Sequence, residues 1–120
     1  MHACAGPGRR RWPYGDTYQP DACLDAARAA LEGGGGQARP SGSRPSCATP
    51  TGVLDLSGNV WEWTAAPGGG GVLMGGGWNL SAGLNQCHSQ ALAKADHQGQ
   101  SGARCCASPA EADAILRASP

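Results

Sequence analysis

The residues best placed to do chemistry lie in the segment Gly52 to Thr64, GVLDLSGNVWEWT. Asp55 and Glu62 flank Gly58-Asn59, a turn dipeptide in which glycine tolerates a positive φ and lets carbonyls converge on one side. Two carboxylates and exposed carbonyls around a tight turn are hard-cation chemistry, since Ca²⁺ takes roughly six to eight oxygens in irregular geometry. In the plainer structural reading, Asp55 bonds local backbone amides and Glu62 faces solvent. Six cysteines (Cys4, Cys23, Cys47, Cys87, Cys105 and Cys106) are the other reactive groups. Six thiols allow about 15 complete pairings, among which sequence does not choose. Their spacing does not make a zinc site: no C-x-x-C is present, and Cys87-His88 and Cys105-Cys106 are too close to serve as tetrahedral pairs. His88 and His97 read as single loop histidines. Arg9-Arg10-Arg11 is too short a basic run to indicate nucleic acid. The glycine runs lack the Lys-Ser/Thr of a phosphate loop.

The elements that must hold these groups are sparse. Gly and Pro number 20 and 9 in 120 residues, Leu, Ile and Val together only 13, and Phe is absent. That composition excludes a helix bundle, a doubly wound sheet and a coiled coil. The glycines fall in runs, which excludes collagen. No apolar stretch approaches the ~18 residues of a membrane span. The formal net charge is zero, so charge provides no case for nucleic acid or an anionic membrane. A small loop-rich domain of this kind needs staples, and its cysteine density points to an oxidising, extracytoplasmic setting: periplasmic, secreted or surface. Met1-His2-Ala3 opens no apolar signal-peptide region.

Along the chain, Asp21 to Leu31 predicts a helix capped by Asp21. Asn59 to Ala65 predicts a strand with Trp61, Trp63 and Ala65 on one side and Val60, Glu62 and Thr64 on the other. The paired tryptophans read as core, in a chain with few other large residues. Val72 to Met74 predicts a second strand. Trp78 is expected to pack where Gly75-Gly76-Gly77 lets backbone pass beneath its ring. Residues 37–50 are irregular loop. Ser108, Pro109 and Glu111 mark the start of a C-terminal helix with Ala114, Ile115 and Ala118 on one face.

Four segments in order, Trp12-Pro13-Tyr14-Gly15-Asp16, GVLDLSGNVWEWT, Met74-Gly75-Gly76-Gly77-Trp78-Asn79 and Gly102-Ala103-Arg104-Cys105, resemble the formylglycine-generating enzyme, or sulfatase-modifying factor, family. The resemblance runs from about residue 3 to 106 and covers the C-terminal part of the family domain. It implies an α+β, C-type-lectin-like fold with low regular secondary structure, truncated here, over residues 1–107, with 108–120 a helical tail. It places Asp55 and Glu62, with the carbonyls of Gly58 and Val60, as ligands of one Ca²⁺. The family's second calcium site is expected to be lost, because Leu24 stands at an Asn position and Gly33–Gly36 replaces the acidic loop. The two thiolates that bind Cu(I) in catalytic members fall on Leu80 and Asn85, so no copper is expected. Met74 and Ala103 replace the family's Arg and Phe. The resemblance also implies a Cys4–Cys87 disulfide, and leaves Cys105 free or paired with Cys23 or Cys47.

The resulting expectation is a non-catalytic, disulfide-stapled module, holding one Ca²⁺ and serving a structural role or binding a protein or small ligand. The alternative is a formylglycine-generating oxidase acting on a sulfatase cysteine. In a third reading, Asn79 to Ser101 is a variable ligand-binding loop on the family frame.

Overall fold

The computed structural model describes residues 2–33, 36–92 and 99–104 together with Ala110 and Arg117. Two short helices, α1 (His2–Ala5) and α2 (Ala26–Leu31), precede four strands: β1 (Trp61–Ala65), β2 (Gly71–Met74), β3 (Gln90–Leu92) and β4 (Ser101–Ala103). The strands form one mixed sheet in the order β3-β2-β1-β4. β1 pairs antiparallel with β2, Glu62 opposite Met74, and β2 pairs antiparallel with β3. β4 returns parallel to β1, Trp61 opposite Ser101 and Glu62 opposite Gly102. Apart from one 3-10 turn at Ala82–Leu84 and the helical Ala110 and Arg117, the remaining described chain is turn and loop, as so many glycines require. The predicted C-terminal helix, Cys105, Cys106 and His97 lie outside the described residues.

Both predicted strands are present, with small changes at their ends. β1 begins at Trp61 because Asn59 sits in left-handed backbone at φ 60°, which no strand continues through. The β1–β2 hairpin turns through Gly68, Gly69 and Gly70, at φ between 83° and 99°. The helix is shorter than predicted and its cap is Asp25, whose Oδ1 accepts the Arg28 N–H at 2.9 Å. Asp21 instead pairs with the Arg28 guanidinium at 2.7 Å. Residues 22–24 are buried and non-helical, drawn inward by a Cys23–Cys47 disulfide and by the Leu24 carbonyl, which accepts from Asn59 N at 2.9 Å.

The tryptophans divide. Trp61 is 7% exposed and belongs to the core, whereas Trp63 is 45% exposed, against the expectation for it. β1 leaves the covered centre of the molecule toward the hairpin tip, so burial falls off along the strand. Trp78 rests on Gly36 rather than on Gly75–Gly77: a Cβ at Gly36 would come within 2.6 Å of its ring. Of the neighbouring glycines, Gly77 approaches Trp61, at 3.5 Å from a Cβ position to the ring.

Among the described residues, four of the eleven buried hydrophobic side chains are cysteines, all bridged. Cys4–Cys87 joins α1 to the loop before β3 across 83 residues, as expected. Cys23–Cys47 spans 24 residues and removes both of the partners proposed for Cys105. A second cluster is aromatic. Trp12 stacks on Tyr14, centroids 6.3 Å apart, and Tyr18 tilts against Trp12 at 5.8 Å. The Tyr18 hydroxyl donates to Asp25 Oδ2 at 2.5 Å, tying this cluster to the cap of α2.

Loop-closure entropy puts the Cys4–Cys87 bridge at about 4 kcal/mol and Cys23–Cys47 at about 3 kcal/mol. Mass mapping of a non-reducing digest should recover these two cross-linked peptides, and Cys47→Ala should lower the denaturation midpoint; alkylation of Cys23 or Cys87 in unreduced protein would contradict the pairing. The phenols make a second test. Burial first, then the hydrogen bond to Asp25 and the charge of that carboxylate, push Tyr18 far above the usual 10.0. Burial also raises Tyr14, partly offset by the Gln19 N–H. The folded state therefore holds these protons after the unfolded chain has released them, and their stabilisation, complete below pH 10, is lost progressively as pH rises beyond it. Tyrosinate absorbance should develop above pH 10 in the folded protein, and Tyr18→Phe should remove the later of its two phases. A single phase at the free-tyrosine position would refute the burial of both rings.

Candidate functional site

The chemistry-bearing segment folds as a loop of left-handed residues. Gly52, Asp55, Gly58 and Asn59 all have positive φ, from 57° to 82°. Asp and Asn are among the side chains that tolerate this region, and glycine adopts it freely. Asp55 is buried. Its N–H donates to the Cys47 carbonyl at 3.0 Å and its Oδ2 accepts from Gly42 N at 2.6 Å. The plainer expectation for Asp55, bonding to backbone amides, is therefore met by a loop residue 13 positions away.

Glu62 lies on β1, and the parallel β1–β4 register sets Arg104 beside it. The guanidinium grips both carboxylate oxygens: Nε at 3.0 and 3.1 Å, and Nη2 at 2.6 Å from Oε1. Nη2 also donates to the Leu54 carbonyl at 2.9 Å, so one arginine binds the strand to the loop that carries Asp55. The bonds are charge-assisted and bidentate, the strong class. Sequence reading placed Glu62 among cation ligands and did not see Arg104, 42 residues away; the only signal was that Arg104 belongs to one of the four segments of the resemblance.

Two cavities meet at this ion pair. The polar one, about 400 Å³, is lined by Asp55, Asn59, Val60, Glu62 and Arg104 among others. The apolar one, about 370 Å³, is lined by Leu56, Trp63, Met74 and the Cys4–Cys87 bridge, and again by Glu62 and Arg104. Asp55, Val60 and Glu62 thus line one cavity. Gly58 is not among the residues lining either cavity. Its N–H donates to Gly75 O at 2.9 Å, and a Cβ there would collide with the Leu24 carbonyl. Among the described residues no cluster of three or more His, Cys, Asp or Glu side chains is arranged around a metal position.

The two positions matched to copper thiolates have other work. Asn85 is 2% exposed, and its amide is used on backbone: Oδ1 accepts from Gly77 N at 2.8 Å, and Nδ2 donates to Gly77 O at 3.0 Å and Leu80 O at 3.1 Å. Gly76 passes so near that a Cβ would overlap the Asn85 side chain. The Leu80 carbonyl also accepts from Ala26 N, at the start of α2.

Comparison with known proteins agrees with the motif order. The sulfatase-modifying factor enzyme 1-like domain family matches residues 1–109. Hercynine oxygenases from Mycolicibacterium thermoresistibile and Mycolicibacterium smegmatis are each 41% identical over 59 residues, 49% of this chain. Those segments are 12% and 13% of the two oxygenases, so the match spans about an eighth of their length.

Proposed function

The chain belongs to the sulfatase-modifying factor family, and from that premise we propose that it is a non-catalytic, disulfide-stapled binding module on the family's C-type-lectin-like α+β frame. The mixed sheet, short helices and long irregular connections support that frame. Two disulfides are consistent with an oxidising compartment and support an extracytoplasmic setting. No helix among the described residues is long and apolar enough to cross a membrane.

The observation that carries the reading is Asn85. Copper(I) oxidation of a substrate cysteine needs a pair of soft thiolates. Leu80 has no donor atom, and Asn85 has a hard amide already bonded at both ends to backbone. Cys87, the only cysteine between Trp78 and Arg104, is bridged to Cys4. Purified protein given a sulfatase-type cysteine peptide, Cu(I) and O₂ should leave the cysteine unconverted by mass spectrometry. Aldehyde formation that disappears on Cys87→Ser would establish the oxidase instead.

The binding surface is the pair of cavities that share Glu62 and Arg104. The apolar one suits a small or peptidic apolar group, with Trp63 half open beside it. The polar one suits a hard cation. Asp55 and Glu62 are both oxygen donors, and Oδ1 of Asp55 has no hydrogen-bond partner among the described residues. Ca²⁺ would be held there by Asp55 and Glu62 with the carbonyl of Val60, the Gly58 carbonyl of the expected set lying off the cavity, and would supply charge neutralisation and rigidity to the loop. Arg104 is its competitor, because it already neutralises Glu62. Calorimetry should therefore show weak Ca²⁺ binding to the native chain, tighter binding by about tenfold in Arg104→Gln, and none in Asp55→Ala/Glu62→Ala. An absence of Ca²⁺ binding to both the native and Arg104→Gln proteins would remove the cation from this reading and leave the apolar cavity.

A further inference from the structure

The arginines from Arg9 to Arg104 fall into two groups. Arg28, Arg39 and Arg44 converge on Glu32, and Arg104 holds Glu62. Arg9, Arg10 and Arg11 make no ion pair among the described residues. Asp16 is held by the backbone N–H of Arg11, at 2.9 Å. Among the described residues, three consecutive cations are thus left without a carboxylate, in a protein whose formal charge is zero.

Local structure gathers them. Past α1 the chain turns back at Gly6 and Arg9, φ 64° and 53°, with Arg9 N on Gly6 O at 3.2 Å and Arg10 N on Ala5 O at 3.0 Å. The Arg10 guanidinium lies over Gly6, where a Cβ would come within 2.9 Å of Nη2. The Cys87 N–H donates to the Arg11 carbonyl at 2.7 Å, and this crossing sets His88 beside the triplet. Arg9, Arg10, His88 and Ala5 line a cavity of about 320 Å³. The Nε of Arg10 is buried and has no acceptor.

Crowding cations without a counter-charge is costly. An anion with several oxygens in the cavity relieves it, and arginine forks match phosphate geometry. A carboxylate has only two oxygens to share among two guanidiniums and an imidazole, whereas a tetrahedral dianion has enough for all. We propose that the cavity of Arg9, Arg10 and His88 is a binding site for a phosphate group, either free phosphate or the phosphate of a small monoester. The site shares no lining residue with the two Glu62–Arg104 cavities.

The test is titration of the full chain with inorganic phosphate at low ionic strength, followed by NMR at the His88 imidazole and the arginine Nε–H groups, and repeated with phenyl phosphate and with acetate. Saturable shifts at His88 and Arg10 are expected, with affinity about tenfold weaker in Arg9→Gln and in Arg10→Gln and nearly unchanged in Arg11→Gln, whose side chain does not line the cavity. Tighter binding of phenyl phosphate would assign the site to a monoester, and tighter binding of inorganic phosphate to the free anion. Because Arg9 is exposed, Arg9→Gln carries the test if Arg10→Gln fails to form the Cys4–Cys87 bridge. Equal binding of acetate and phosphate, or unchanged affinity in Arg9→Gln, would overturn the proposal.

Discussion

Four stretches of chain meet at the Gly58–Asn59 step, and the fold depends on that crossing. The Gly58 N–H reaches Gly75 and the Asn59 N–H reaches Leu24, while the Asn59 carbonyl accepts from Trp78 N at 2.8 Å. The Asn59 side chain then pairs with Arg39 in both directions, Oδ1 with its N–H at 2.8 Å and Nδ2 with its carbonyl at 3.1 Å. Only a residue with a donor and an acceptor on one short planar group can do this, and asparagine also tolerates the φ of 60° found there. Glycine is required beside it, because the Leu24 carbonyl occupies the space of a Cβ. Each buried backbone group left unpaired by a change at this point costs about 1–3 kcal/mol. The turn that sequence reading took for a cation-binding device is first of all a chain crossing.

Such a crossing matters because the core cannot substitute for it. Few large apolar residues are buried, and directional bonds and covalent bridges do the positioning that a packed interior does elsewhere. Asn85 repeats the pattern one layer away: its amide fastens Gly77 and Leu80, and its carbonyl accepts the Ser57 hydroxyl. Two bridges worth about 3–4 kcal/mol each are a large share of the roughly 5–15 kcal/mol that a folded domain nets. Glu32 does the same with charge, gathering three arginines from α2 and from the loop that follows it.

What could be read in advance was whatever local chemistry decides. The period-two pattern around Trp61 located β1, and a run of glycines located the hairpin. The motif order identified the family and, through it, the Cys4–Cys87 bridge. What could not be read was long-range pairing. Local chemistry points to Asp21 as the helix cap, whereas the cap is Asp25, whose carboxylate also accepts the distant Tyr18 hydroxyl. Trp63 has the same pattern as Trp61, but its burial depends on what stands opposite the hairpin end of the strand. Gly36 and Trp78 are 42 positions apart in sequence, and no period connects them. Asp55, Val60 and Glu62 line one cavity, since they belong to one turn and the strand it feeds, and Gly58 does not. Arg104 was missed, since only the parallel return of β4 brings it to Glu62.

That return also explains why the two cavities are not independent. Glu62 and Arg104 form the wall between a polar space and an apolar one, and both side chains are partly open to solvent, at 17% and 33% exposure. The pair is bidentate, and because both side chains reach solvent a competing partner has access to each of them. A cation that takes Glu62 leaves the guanidinium with the Leu54 carbonyl and with whatever lies in the apolar cavity that it also lines. A ligand whose acceptor reaches Arg104 from the apolar side leaves Glu62 free for a cation. On the proposed reading the two events would favour each other, because each removes the competitor of the other, and such a coupling is reciprocal by thermodynamic necessity. No movement of the frame is needed for this. The disulfides and the Asn59 crossing keep the walls fixed, and the exchange of one arginine's partners is enough to connect the two spaces.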